Sequence, residues 1–168
     1  MSNIKEVVLV SLMAALGNAL SLFLSLQLMP GIVVHLSQAP PLLVAVGLGP
    51  LPGAVTGALA SLGAAYIISI QGSSWNLLFI PIGNAILCYV AGVASRRGLN
   101  PLFSSIIGEV AEAPWIYFTT GIILMLPQQV VLIIIGKALI EVCISGLIVQ
   151  ILMSIKVIED SIKRIGGK

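Results

Sequence analysis

The sequence predicts an all-α membrane protein: a compact bundle of six transmembrane helices with both termini on the cytoplasmic side. Three observations lead there. Of 168 residues, 58% are hydrophobic and only 8% charged, against about 25% charged in an ordinary soluble domain. No soluble core could enclose that much apolar surface, and mean hydropathy is +1.14. The apolar residues fall into six runs separated by Pro, Gly and polar breaks. Seven of the eight Lys and Arg residues lie where a six-span topology puts them all on one side.

The expected spans are about 7–26, 32–48, 52–70, 75–94, 102–126 and 129–155, forming one domain over residues 1–168. Met29, Pro30 and Gly31 end the first. The second is short and has Pro40 and Pro41 inside it, so it reads as a broken or half-spanning helix. Gln71 to Ser74 make a turn after the third. Pro81 and Gly83 predict a kink in the fourth. A polar loop, Ser95 to Pro101, leads into the fifth, which has Pro114 in its middle, and Pro127 breaks it from the sixth. No stretch alternates in the β manner, which excludes a barrel. Orientation follows from Lys5, Arg96, Arg97, Lys156, Lys163, Arg164 and Lys168, which this count gathers on the cytoplasmic side. Cys88 and Cys143 lie deep in apolar runs and read as small buried residues without a disulfide.

The third span shows how the helices would pack. Gly49, Gly53, Gly57, Ser61 and Ala65 recur every fourth position, on one helical face. In lipid, helices gain nothing by burying apolar surface against one another. Small residues instead let backbones approach, so that dispersion contacts form. Pro50 and Pro52 stand at the start of this run, where the first N–H groups have no intrahelical acceptor anyway.

Chemistry would have to come from the few ionisable residues inside the spans. Lys137 lies in the sixth, with Glu141 one turn later, and Glu109 and Glu112 lie in the fifth. Each such charge costs about 2.5–3.5 kcal/mol near the bilayer centre, so it requires a partner, water or a ligand. At 1.5 Å per residue, Glu112 and Lys137 come to similar depth, about 15 Å. Glu112 is therefore expected either to pair with Lys137 or to face a ligand cation. The plain alternative is an ion pair that only fixes helix packing. Asn84 and Trp115 are expected to stand with Glu112 and Lys137 at the wall of a pocket between the fourth, fifth and sixth spans. His35, the one histidine, reads as a loop residue of the outer side together with Gln38.

Several functions are set aside. Gly136-Lys137 is followed by Ala138 and lacks the upstream glycine of a phosphate-binding loop. One His and two isolated Cys supply no metal-site spacing, so no metal and no cofactor is expected. There is no zinc-protease helix, no nucleophile elbow and no basic patch for nucleic acid. The chain is not expected to be an enzyme.

At this point the sequence resembles the substrate-binding S component of energy-coupling factor (ECF) vitamin transporters. The resemblance lies in six short spans within one small chain and in three motifs. Segment one carries Ser11, Ala15 and Ala19 in SLMAALGNAL, similar to the family's A-x-x-x-A face that docks on a membrane-embedded T component. LGPLPGAVTGALASLGA resembles the family's glycine-rich third helix, and PIGNAILCYVAGVASRR its fourth helix with a basic end. The resemblance implies a high-affinity binding subunit for a vitamin or vitamin precursor, with a substrate-binding pocket toward the outer face that would here hold Asn76, Asn84, Trp115, Tyr117, Gln128 and Lys137 beside Glu112. It would work in a prokaryotic plasma membrane with a T component and two ATPase subunits. The surplus of carboxylates leans toward a cationic or amine-bearing substrate. The alternative is a small self-assembling secondary transporter or channel with an intramembrane Glu/Lys relay.

Overall fold

The computed structural model describes residues 4–29, 32–71 and 73–166. Helix α1 (Ile4–Phe23) leads into a two-stranded antiparallel hairpin, β1 (Ser25–Met29) and β2 (Ile32–His35). Helix α2 (Ala39–Gly47) follows, then α3 (Pro50–Ala60) and α4 (Leu62–Gln71), which form one rod interrupted at Ser61. Next come α5 (Asn76–Arg96), α6 (Pro101–Ile116), a π-helical segment (Tyr117–Ile123), the long α7 (Gln128–Ser154) and α8 (Lys156–Ile165).

Four stretches are long and apolar enough to cross a membrane: Ile4–Phe23, Pro50–Ile70, Asn76–Arg96 and Gln128–Ser154. The fold is therefore a helical bundle compatible with a membrane protein. Large apolar side chains such as Val8, Leu12, Leu132, Ile133, Ile140 and Ile151 face outward. A surface that apolar suits lipid and not water.

The second segment departs from the sequence reading. Residues 32–35 are a strand, and helix is confined to α2, whose nine residues span only about 13 Å. Pro40 and Pro41 do not break this helix. They occupy its first turn, where a missing N–H costs nothing. The hairpin is a strand pair that the sequence reading did not contain. Its source is the β-branched run Ile32-Val33-Val34, which favours an extended backbone.

Helix α6 has 16 residues and runs directly into the seven-residue π segment, close to the expected fifth span. The cause of the wider coil is local. Pro114 brings no N–H to the helix ladder. Two threonine hydroxyls then take carbonyls of the preceding turn. Thr119 Oγ1 donates to the Trp115 carbonyl at 2.8 Å, and Thr120 Oγ1 to the Ile116 carbonyl at 2.6 Å.

The small-residue ladder does what its spacing predicts. A Cβ added at Gly53 would lie 2.6 Å from the Ala45 Cα, and one at Gly57 would lie 2.6 Å from the Asn84 carbonyl oxygen. Helices α2, α3 and α5 thus touch backbone to backbone. Gly92 on α5 and Gly108 on α6 repeat the device, against Pro50 and the Leu87 carbonyl. Leu42, Leu87, Cys88, Ala91, Val142 and Val149 fill the centre of the bundle.

The break at Ser61 is repaired from outside the rod. Asn18 of α1 donates through Nδ2 to the Leu59 carbonyl at 2.8 Å and accepts the Gly63 N–H on Oδ1 at 2.7 Å. One amide side chain supplies the two partners that the interrupted helix lacks.

One end of the molecule is basic. There α5 finishes, α2 meets α3, and α8 lies across the bundle with Ile158, Ile162 and Ile165 packed near Leu9, Met13, Val44 and Leu48. Gly49 turns the chain there with φ 116°, a conformation open to glycine, and Arg96 donates to the neighbouring Leu48 carbonyl at 3.2 Å.

Candidate functional site

Helices α6 and α7 face each other through small residues. Gly146 lies against Ser105, 3.1 Å from where its Cβ would stand. This close approach sets the carboxylates of the two helices in one buried region. Glu109 is 1% exposed, Glu141 2% and Glu112 6%.

Glu141 is the satisfied member. Its Oε1 lies 3.2 Å from Lys137 Nζ, one turn back on the same helix, and accepts the His35 backbone N–H at 2.8 Å. The hairpin is thereby tied to the middle of α7. His35 sits in that hairpin, outside the long helices, and its ring Nδ1 pairs with Ser37 Oγ at 2.7 Å. Its 3.9 Å separation from Glu141 Oε1 is longer than a hydrogen bond.

Of the two roles expected for Glu112, the cross-helix pairing with Lys137 is not the one formed. Lys137 reaches the carboxylate four residues along its own helix, a contact that i,i+4 geometry offers without help from any neighbour. Glu112 is left to α6. With Glu109 it stands at i,i+3, on one helical face. Neither oxygen of Glu109 has a hydrogen-bond partner among the described residues, and neither does Glu112 Oε2. One turn beyond Glu141, the fully buried Ser145 hydroxyl is also unpartnered.

Gly83 makes the room for Glu112. A Cβ at that position of α5 would run into Glu112 Oε1 and would lie 3.1 Å from Trp115 Cδ1. The carboxylate and the indole thus meet over the same notch. Trp115 is fixed by its N–H, which donates to the Phe79 carbonyl at 2.9 Å, and by an edge-on contact to the Phe79 ring with centroids 6.1 Å apart. Trp75 stacks on Phe79 and Phe118 leans on Trp115, so four aromatic rings form one cluster.

The other expected wall residues divide. Asn84 is half-buried, but its Nδ2 donates to the Ile80 carbonyl of its own helix at 3.1 Å. Asn76 is half-buried at the first turn of α5. Tyr117 and Gln128 are exposed, at the start of the π segment and of α7. Glu109 and Glu141 were left out of the expected wall, yet they are more deeply buried than any residue in it. Their spacings to Glu112 and Lys137 in the sequence were the available signal. On α1, Ser11 and Ala15 are exposed and Ala19 half-buried, while Ala14, Gly17 and Ser21 make the packed face.

Among the described residues, no three His, Cys, Asp or Glu side chains converge as metal ligands. Comparison with family models, with curated proteins and with solved structures finds no match. Fold and site define a helical bundle with four stretches long and apolar enough to cross a membrane and a buried carboxylate cluster.

Proposed function

We propose that this chain is the small-molecule-binding S subunit of an ECF-type importer, taking up a vitamin or vitamin precursor across a prokaryotic plasma membrane. The observation that carries the reading is the pair Glu109 and Glu112, buried mid-bundle with unpartnered oxygens beside a fixed aromatic cluster. Unpartnered carboxylates cost stability in a bilayer and are kept where they meet a ligand or a proton. The small-residue face of α1, resembling the family's docking face, supports a membrane partner. The lack of any nucleotide motif in the sequence fits a division of labour in which separate subunits hydrolyse ATP. The bundle crosses the membrane six times, α2 with the hairpin making the second crossing and α6 with the π segment the fifth. Both termini are cytoplasmic.

The test is affinity purification of the tagged chain from its native membranes. Two ATPase subunits carrying phosphate-binding loops and one further integral membrane protein should accompany it in fixed ratio. Replacing Ala15 or Ala19 by Leu should abolish that association, because the larger side chain holds the partner helix away, while the isolated chain stays folded. A chain that purifies alone, as a homo-oligomer able to transport in vesicles, would instead establish the Glu/Lys relay transporter.

Topology has its own check. In a chain with Cys88 and Cys143 replaced by Ala, a cysteine at Ser73 should react with an impermeant maleimide added to whole cells, and one at Asn100 should not. Labelling at Asn100 and not at Ser73 would invert the orientation.

A further inference from the structure

Helix α8 does not close flat on the bundle. A cavity of about 230 Å³ remains beneath it, walled by Leu9 and Met13 of α1, Leu43 and Val44 of α2, and Ile158 and Ile165 of α8. We infer that this cavity is a lipid site. It takes one acyl chain of an anionic phospholipid from the leaflet that meets the basic end of the molecule, with the lipid phosphate on Arg96. The site needs a bilayer around the bundle and is independent of the importer reading.

The cavity follows from how α8 is seated. Ile158, Ile162 and Ile165 fall on one helical face, and Lys156, Asp160 and Arg164 are exposed. Of the three isoleucines, Ile162 is the one driven home. It is 7% exposed and lies against Gly47, where any Cβ would run into it. Ile158 and Ile165, one turn to either side, stay half-buried and face the cavity. Water does not suit this space. A buried water needs about two to four polar partners, and Ser161 is the one polar side chain on the wall among the described residues. Apolar cavities of about 150 Å³ stay dry and take up small apolar molecules. This one is larger, and its aliphatic and thioether walls suit a flexible alkyl chain.

The head of such a lipid meets a fixed cation. Arg96 closes α5 at this end, and its guanidinium lies over Gly49, where a Cβ would collide with it. One N–H donates to the Leu48 carbonyl at 3.2 Å, and the Leu48 side chain packs with Val44 and Ile162 beside the cavity. The guanidinium is thus held one residue from the apolar wall. That bond takes one of its five donors, and the side chain is exposed. The planar fork of donors suits a phosphate. The surrounding charge has the same sign: exposed Lys5, Lys156 and Arg164 outnumber exposed Asp160 and half-buried Glu6. A net negative head is drawn to such an end, and a zwitterionic head is not. Leu9 and Met13 lie beyond Lys5 and Glu6 in the apolar body of α1, at the depth of acyl chains. In a bilayer, the molecules that join an alkyl chain to an anionic phosphate are its own lipids.

The experiment uses the full chain in an uncharged detergent. The probe is dioleoyl phosphatidylglycerol. Dioleoyl phosphatidylcholine supplies the same chains on a zwitterionic head, and glycerol phosphate supplies the head without chains. Phosphatidylglycerol should raise the thermal unfolding midpoint and saturate at one lipid per chain. Phosphatidylcholine should act only at much higher concentration, and glycerol phosphate not at all. Arg96→Gln should weaken phosphatidylglycerol binding about ten-fold, the loss of one charge-assisted hydrogen bond. Arg97→Gln, its exposed neighbour, should leave binding unchanged. Leu9→Trp should fill the cavity and remove most of the response. A phosphatidylglycerol with a photoactivatable diazirine in its acyl chain reads the site in the unaltered protein, whether or not Leu9→Trp folds. It should label α8 and the first half of α1 above the other helices. Equal binding of the two phospholipids, a full response to glycerol phosphate, equal losses in the Arg96 and Arg97 variants, an undiminished response in folded Leu9→Trp, or labelling spread evenly over all helices would overturn the assignment. A lipid-free dimer cross-linked through α8 would overturn it too, by placing a second copy on the cavity.

Discussion

Replacing Lys137 by Met will destabilise the protein by about 3 kcal/mol, the cost of stranding one partner of a buried pair. Glu141, 2% exposed, then keeps only the His35 N–H for its charge. The double variant Lys137→Met with Glu141→Gln should recover to within about 1 kcal/mol of the parent, since an amide needs no counter-charge. Glu112→Gln should not destabilise at all, because Glu112 has no bond to Lys137. Unfolding in detergent, followed by helical circular dichroism, reads all three. Stability of Lys137→Met equal to the parent would show that the pair contributes nothing. A loss in Glu112→Gln matching that in Lys137→Met would restore the cross-helix pair.

Gly57→Leu should be still more damaging, by about 3 kcal/mol or more, at or beyond the upper end of ordinary overpacking. The obstacle is the Asn84 carbonyl of α5, with Cys88 Sγ at 2.9 Å beside it, and a backbone group cannot rotate aside as a side chain can. Gly136→Leu is the matched control. Nothing lies within 4 Å of a Cβ there, so the change should be neutral or slightly favourable through helix propensity. Folded, monodisperse yield after size exclusion is the measurement. Equal yields for the two variants would mean that the ladder on α3 does not set the helix spacing.

These two sites also show what was legible in the sequence. The ladder could be read because its information is periodic: spacing by four dictates a face, and small residues on a face dictate close approach. Helix limits at Pro50, Pro101 and Pro127 were legible for a similarly local reason, the missing proline N–H. The partner of Lys137 was not found, although Glu141 stood at i+4. Estimating depth in the bilayer put Glu112 and Lys137 at one level and favoured the longer reach. Depth fixes one coordinate only, and rotation of each helix about its axis decides which carboxylate is met. The hairpin at 25–35 was hidden because a run such as Ile32-Val33-Val34 suits a buried helix and a strand equally by hydropathy. The unpartnered state of Glu109 among the described residues was hidden because an absence leaves no trace in the sequence. Glu109 is marked by partners that it lacks, and those are counted only once every neighbour is in place.

The bond set of Asn18 has a consequence for the order in which the chain is made. Asn18 is made 41 residues before Leu59 and 45 before Gly63. An unsatisfied amide would oppose entry of the first helix into a bilayer. Asn18 Nδ2 also donates to the Ala14 carbonyl of its own turn at 3.1 Å, so the amide nitrogen has a partner within α1 itself. When the third stretch arrives with its gap at Ser61, the same amide is on hand to close it. The gap makes that stretch dependent on the first helix, and the two become one unit of assembly: neither half of the interrupted rod is complete in lipid until the earlier-made helix stands beside it.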